Sequence, residues 1–152
     1  MNREELAWAA GIVDGEGSFD GHKTINQIRK GPKTRYSMRL TIGQSTHNPA
    51  IVPQMLNRFL SLFPGMRLSK VKMLKPPSNP QYHIIAYGIE QVQHVAASIW
   101  PWLGDVKRDQ YKSVLSEWIN YTRQPKDWYE GPAQGSRRGW PRDGNGRFVK
   151  HG

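Results

Sequence analysis

The sequence predicts an α+β domain in which one antiparallel sheet is covered by helices on a single face and left bare on the other. Three observations carry that expectation. Apolar residues recur at helical spacing in four stretches and alternate in the segments between them, giving the order α-β-β-α-β-β-α-α. On the clearest strand Met38, Leu40 and Ile42 face one way while Ser37, Arg39 and Thr41 face the other. Finally, no acidic residue occurs between Asp20 and Glu90, and the 69 residues between them hold eleven Lys or Arg. A single-sign field of that kind repels itself unless a polyanion meets it, and nucleic acid is the obvious polyanion. The plainer reading is a generally basic surface.

The elements follow in order. Asn2 is placed to cap a first helix, with Glu5 three residues on, an apolar run over 6–13, and Gly15 and Gly17 at its end. Ala7, Ala10, Gly11 and Asp14 share a nearly bald stripe on this helix. Such a stripe either admits another helix at close range or packs on the chain's own core. Residues 18–44 suit two strands around the turn Lys30-Gly31-Pro32-Lys33. Asn48-Pro49 then offers an N-cap and a first-turn proline for a second helix carrying Ile51, Val52, Met55, Leu56, Phe59, Leu60 and Phe63. Pro53 sits awkwardly inside it and argues for a later start. Pro64-Gly65 stops it. Two strands over 66–74 and 81–89, a short helix over 91–99 and a last helix over 106–121 complete the domain, which spans 1–123. Tyr111, Val114, Leu115, Trp118 and Ile119 are the inward residues of the last helix. Residues 124–152 change composition to six Gly, three Pro and six Lys or Arg against three acids, and read as a basic extension. Trp128, Tyr129 and Trp140 there suit packing on the core or lying along a sugar-phosphate backbone.

Composition excludes several classes. The 152 residues carry a net charge of +10 and contain no cysteine, so disulfide scaffolds, thiolate chemistry and cysteine-ligated zinc are ruled out. The five histidines (22, 47, 83, 94 and 151) are too scattered for a metal-ligand spacing. Apolar runs are far shorter than a membrane span and the first residues do not read as a signal peptide. A soluble intracellular protein without a membrane partner is expected.

The sharpest local signal is Ala9-Ala10-Gly11-Ile12-Val13-Asp14-Gly15-Glu16-Gly17, a small-faced helix ending in two acids separated by glycine and passing into a strand of a basic sheet. A carboxylate beside phosphate is repulsive unless a divalent cation held by hard oxygen ligands lies between them. The alternative is that Asp14 and Glu16 are only a polar helix terminus. These nine residues resemble the signature of the LAGLIDADG homing endonucleases. Gly11, Asp14 and Gly17 match, Ile12 and Val13 are conservative, Glu16 stands for the second acid, and Ala9 departs from the usual leucine. The αββαββα order over roughly 4–122 strengthens the likeness, and the extension lies outside it.

The resemblance implies a saddle-shaped DNA-binding sheet and a site-specific endonuclease that hydrolyses both strands of a long pseudo-palindromic site, in the manner of intron homing. Its catalytic residues would be Glu16, Gln44 and Lys107. Glu16 and the Gly15 carbonyl would hold Mg²⁺, for which Mn²⁺ is a substitute. A basic position early in the second helix of some members falls nearest Asn48 here, with His47 beside it. Only one such motif occurs, and one-motif chains of the family act as homodimers, with Ala7, Ala10, Gly11 and Asp14 at the helix-helix interface. Double-stranded DNA would be read from the bare sheet face by His22, Thr24, Asn26 and Arg29 on the first strand and by Arg35, Ser37, Arg39 and Thr41 on the second. On the later strands the readers would be Arg67, Ser69, Lys70, Lys72, Gln81 and His83. For each of these a phosphate contact or plain exposure is as good a reading. The same fold also serves intron RNA-splicing maturases and non-cleaving DNA-binding regulators, which remain the alternative functions, with intron RNA the alternative partner. A basic structural protein is the remote third reading.

Overall fold

The computed structural model describes residues 2–28, 31–69, 71–75 and 78–123, and for 25–28 and 31–34 it describes the backbone only. The basic extension 124–152 therefore lies outside the described residues, as do Arg29 and Lys70 and the side chain of Asn26. The elements are α1 (Arg3–Glu16), β1 (Gly17–Ile28), β2 (Gly31–Ser45), α2 (Gln54–Leu62), β3 (Arg67–Leu68), β4 (Gln81–Tyr87), α3 (Ile89–Ile99), a 3-10 turn (Trp100–Trp102) and α4 (Asp105–Arg123). The four strands form one antiparallel sheet in the order β1-β2-β4-β3. The expected α+β architecture is what the chain adopts.

Pairing registers decide which side chains share a face. Phe19 lies opposite Leu40 and Leu40 opposite Ala86, and Ile42 lies opposite Ile84. All are buried, so this face of the sheet is the floor of the core. The helices cover it with Ala9, Ala10 and Val13 from α1, Leu56 and Phe59 from α2, Val92, Val95, Ala96 and Ile99 from α3, and Tyr111 and Val114 from α4. Burial of these side chains supplies the main driving force for closing helices over the sheet. The other parity (Ser18, Asp20 and His22 on β1; Arg39 and Thr41 on β2; His83 and Ile85 on β4) stands on the uncovered face. Gly88, between β4 and α3, has φ 92°, a left-handed conformation that glycine adopts without strain and that no other described residue takes.

Several boundaries differ from expectation, each for a local reason. The second helix starts at Gln54, not at Asn48. Pro53 lacks the N–H that a helix running through it would need, and its ring would collide with the preceding turn. Asn48 instead closes a small turn in which its side chain accepts from Ala50 N at 2.9 Å, and Ile51, expected on the apolar helix face, is exposed. The strand expected over 66–74 shrinks to Arg67–Leu68 plus an isolated bridge between Lys72 and Gln81. From Leu68↔Ile84 to Lys72↔Gln81 the chain takes four steps on one side against three on the other, a bulge. Ser69 Oγ fills the gap by accepting from His83 N at 3.2 Å. β4 ends at Tyr87, two residues early, because the turn at Gly88 lets α3 begin at Ile89.

Candidate active site and nucleic-acid interface

The site begins at the joint between α1 and β1. Gly17 caps the helix by donating its backbone N–H to the Val13 carbonyl and is also the first residue of the strand. A Cβ at Gly17 would lie 2.6 Å from Val13 O and 2.9 Å from Val13 Cα, so only glycine lets the chain turn this tightly against its own backbone. The joint therefore delivers Glu16 to the edge of the sheet without an intervening loop. A carboxylate at a helix C-terminus opposes the helix dipole, and no basic residue occupies the last turn of α1 to offset it.

The two acids of the motif part ways. Asp14 accepts from the Gly104 N–H through both carboxylate oxygens at 3.0 Å and so ties α1 to the loop before α4. Glu16 is exposed, and among the described residues it makes no hydrogen bond or ion pair. It lines a cleft of about 270 Å³ together with Ser18, Thr41, Gly43, Gln44, Ser45, Gln81 and His83. Gln44 enters from the end of β2 with its Oε1 buried and without a partner among the described residues. Gly43 leaves room for the His83 ring, whose Nε2 would sit 3.4 Å from a Cβ placed there, and His83 Nε2 also lies 3.4 Å from Gln81 Oε1. A larger hollow, about 400 Å³ around Gly65, Arg67, Tyr87 and Gly88, contains none of the expected catalytic residues.

Lys107 is not among the residues lining the cleft. Its Nζ donates to the Gly17 carbonyl at 2.5 Å, which places the ammonium against the Gly17–Ser18 peptide, one residue beyond Glu16. One helical turn on, Gln110 Oε1 accepts from Phe19 N at 3.3 Å and its Nε2 donates to Ser18 Oγ at 3.5 Å. Together Lys107 and Gln110 bind the start of β1 to α4. Gln110 was not singled out from the sequence, although its three-residue spacing from Lys107 puts both on one helix face.

Among the described residues no three His, Cys, Asp or Glu side chains come together as a metal cage. The cleft offers hard oxygens, the Glu16 carboxylate and the orphaned Gln44 Oε1, while Gly15, expected to add its carbonyl, is not among the lining residues. That set suits Mg²⁺ or Mn²⁺ as an ion that keeps water or substrate oxygens, and does not suit an all-protein site.

The uncovered sheet face carries most of the expected DNA readers. His22, Arg35, Arg67 and Lys72 are exposed, and Thr24, Arg39, Thr41, Gln81 and His83 are half-buried. Two differ from expectation. Ser37 faces the right way but is buried, a short hydroxymethyl standing opposite the taller His22. Ser69 is drawn into the β3–β4 ladder by the His83 N–H. Arg39 is also not a free cation, since it pairs with Asp20, directly opposite on β1.

The bald stripe on α1 divides. Ala10 is fully buried in the chain's own core, which corrects its assignment to a helix-helix interface, and Ala7 is half-buried. Asp14 is engaged by Gly104. Gly11 and Gly15 are exposed, and a Cβ on either would meet nothing within 4 Å.

At the far end of the sheet the Tyr36 hydroxyl donates to Glu117 Oε2 at 2.7 Å. Burial, that hydrogen bond and the charges of Glu117 and Asp20 push the Tyr36 pKa up to about 12.

Comparison with solved structures identifies the architecture. The chain matches the homing endonuclease I-CvuI, crystallised on the I-CreI target in 2 mM Mg with the DNA uncleaved, at TM-score 0.58 and 21% identity over 83% of this chain and 74% of that one. It matches the group I intron-encoded homing endonuclease I-CeuI, complexed with DNA, at TM-score 0.56 and 12% identity over 80% of this chain and 56% of that one. A third match is the LAGLIDADG homing endonuclease I-GzeII with its DNA target, at TM-score 0.55 and 16% identity over 82% of this chain and 38% of that one. No protein-family model and no curated protein sequence matches the chain. The fold is thus that of the LAGLIDADG homing endonucleases, and the motif glycines and acids occupy the helix-to-strand joint beside the sheet. No described helix is long and apolar enough to cross a membrane.

Proposed function

We infer that this protein is a site-specific, metal-dependent DNA endonuclease acting as a homodimer on a long, roughly symmetric double-stranded site. One observation carries the reading: Glu16 and a buried Gln44 Oε1, both without a partner among the described residues, line the same cleft at the end of a bare and basic sheet face. Glu16 and the Gly15 carbonyl hold the divalent cation, Mg²⁺ or Mn²⁺, which when bound polarises a phosphoryl oxygen and lowers the cost of charge on the leaving oxygen. Gln44 orients water at the cleft wall. Lys107 fixes the joint through the Gly17 carbonyl and adds positive charge close to the phosphate. The exposed side of α1 around Gly11 and Gly15 takes the second copy, which brings two clefts to one duplex and favours a pseudo-palindromic target.

The test is selection of cleaved sites from a randomised duplex pool in Mg²⁺, with the wild-type chain and Glu16→Gln side by side. The wild type cuts a recurrent, roughly symmetric site. Glu16→Gln binds the same site and does not cut it. Equal cutting by both overturns the catalytic assignment, and binding without cutting by the wild type leaves a DNA-binding regulator as the better reading.

A further inference from the structure

The uncovered sheet face is basic, yet an acid stands on it. Asp20 has the parity of Ser18 and His22 and lies directly opposite Arg39. A carboxylate on a surface that meets phosphate is repulsive, and this one is not sealed into the core: the Asp20 and Arg39 side chains are each about one third exposed. What Asp20 does is specific. Arg39 Nε donates to Oδ1 at 2.9 Å and Arg39 Nη2 donates to Oδ2 at 3.1 Å, a side-on bidentate pair that fixes the plane of the guanidinium. The pair uses one edge of the fork. Nη1 and the remaining Nη2 hydrogen form the other edge, and among the described residues nothing engages it. On its other side Arg39 is opposite Tyr87 of β4, half-exposed and uncharged.

A planar pair of donors held rigidly on a groove-facing sheet has a natural complement in the two acceptors that guanine presents in the major groove, O6 and N7. We propose that Asp20 is a positioning residue for base recognition, holding Arg39 so that its free edge reads one guanine in each half of the DNA site. Resting on the proposed DNA-binding function, this inference places the guanine near the cleavage point. The Asp20–Arg39 row is the next row along from Ser18–Thr41, and both of those residues line the cleft with Glu16. Asp20 also repels phosphate and so disfavours the alternative use of Arg39 as a backbone contact.

The experiment is selection of bound duplexes from a randomised pool in the presence of Ca²⁺, using the full chain as wild type, Asp20→Asn and Arg39→Lys, with a thermal melt of each. The wild type should return a motif with one strongly preferred guanine per half-site. Asp20→Asn and Arg39→Lys should each lower that preference by about tenfold at that one position while the rest of the motif persists. Arg39→Lys keeps the charge and loses the fork, so a phosphate contact would survive it. A motif that both variants leave intact overturns this inference alone. Uniformly tighter binding by Asp20→Asn, with the guanine preference unchanged, also overturns it, because Asp20 would then only be muting a charge. A wild-type chain that selects no duplex overturns the DNA-binding function and this inference together.

Discussion

Gly17→Ala tests whether the α1–β1 joint positions the site. The new methyl would lie 2.6 Å from Val13 O and 2.9 Å from Val13 Cα, and both obstacles are backbone. Neither can rotate away as a side chain would, so the last turn of α1 or the first residue of β1 must move. Forcing a methyl into filled space of this kind costs about 1–3 kcal/mol. For a domain of this size that lowers Tm by about 4 °C per kcal/mol, or roughly 4–12 °C. Gly15→Ala, two residues earlier, is the matched control. Within its own chain a Cβ there meets nothing within 4 Å, so for the isolated fold alanine only removes glycine's conformational entropy cost, a gain of at most about 1 kcal/mol. Urea melts followed by circular dichroism measure both changes. Cleavage by Gly17→Ala should fall further than its loss of folded protein explains, because the displaced peptide carries both Glu16 and the carbonyl that Lys107 holds. A Gly17→Ala chain as stable and as active as the wild type would refute the reasoning.

Three further outcomes follow from the geometry. Gly11→Leu should leave the fold intact, since the position is open, but convert the proposed dimer to monomer in sedimentation equilibrium; a dimer formed equally by both would place the second copy elsewhere. Tyr36 favours its protonated form in the fold, with a pKa raised from 10.0 to about 12, so its contribution to stability is complete below pH 10 and is lost as the pH rises to about 12. Tyr36→Phe should therefore lose less stability than the wild type over that window, and an identical alkaline decline in both would contradict the shift. Glu16→Gln should abolish cleavage and, having no partner to lose among the described residues, leave the melting temperature close to that of the wild type; a large drop in Tm would make Glu16 structural.

Legibility in the sequence followed the range of each interaction. α1, the alternation of β2 and the inward face of α4 could be read directly, because helical and strand periodicities are local properties of the chain. Glu16 and Gln44 could be named as candidates through the motif and the resemblance it carries, whereas the cleft they line together follows from the β1–β2 register. The Asp20–Arg39 pair was hidden for the same reason: 19 residues separate the two, and only the register shows that they are opposite. Pro53 carried the signal for the late start of α2. The bulge after β3 did not announce itself, because it rests on hydrogen bonds between Ser69 and His83 and between Lys72 and Gln81, which only the strand pairing reveals. Ala10 was misplaced because a small residue on a helix looks the same in sequence whether its own core or a partner covers it.

In the proposed reaction Glu16 meets DNA phosphate through a divalent cation. A crystal structure of the protein on its selected duplex, grown with Mn²⁺ and measured for anomalous scattering, tests it most directly. Anomalous peaks should lie between the Glu16 carboxylates and backbone phosphate oxygens near the two-fold axis of a dimer. Glu16 side chains remote from any phosphorus atom, with no peak beside them, would contradict it.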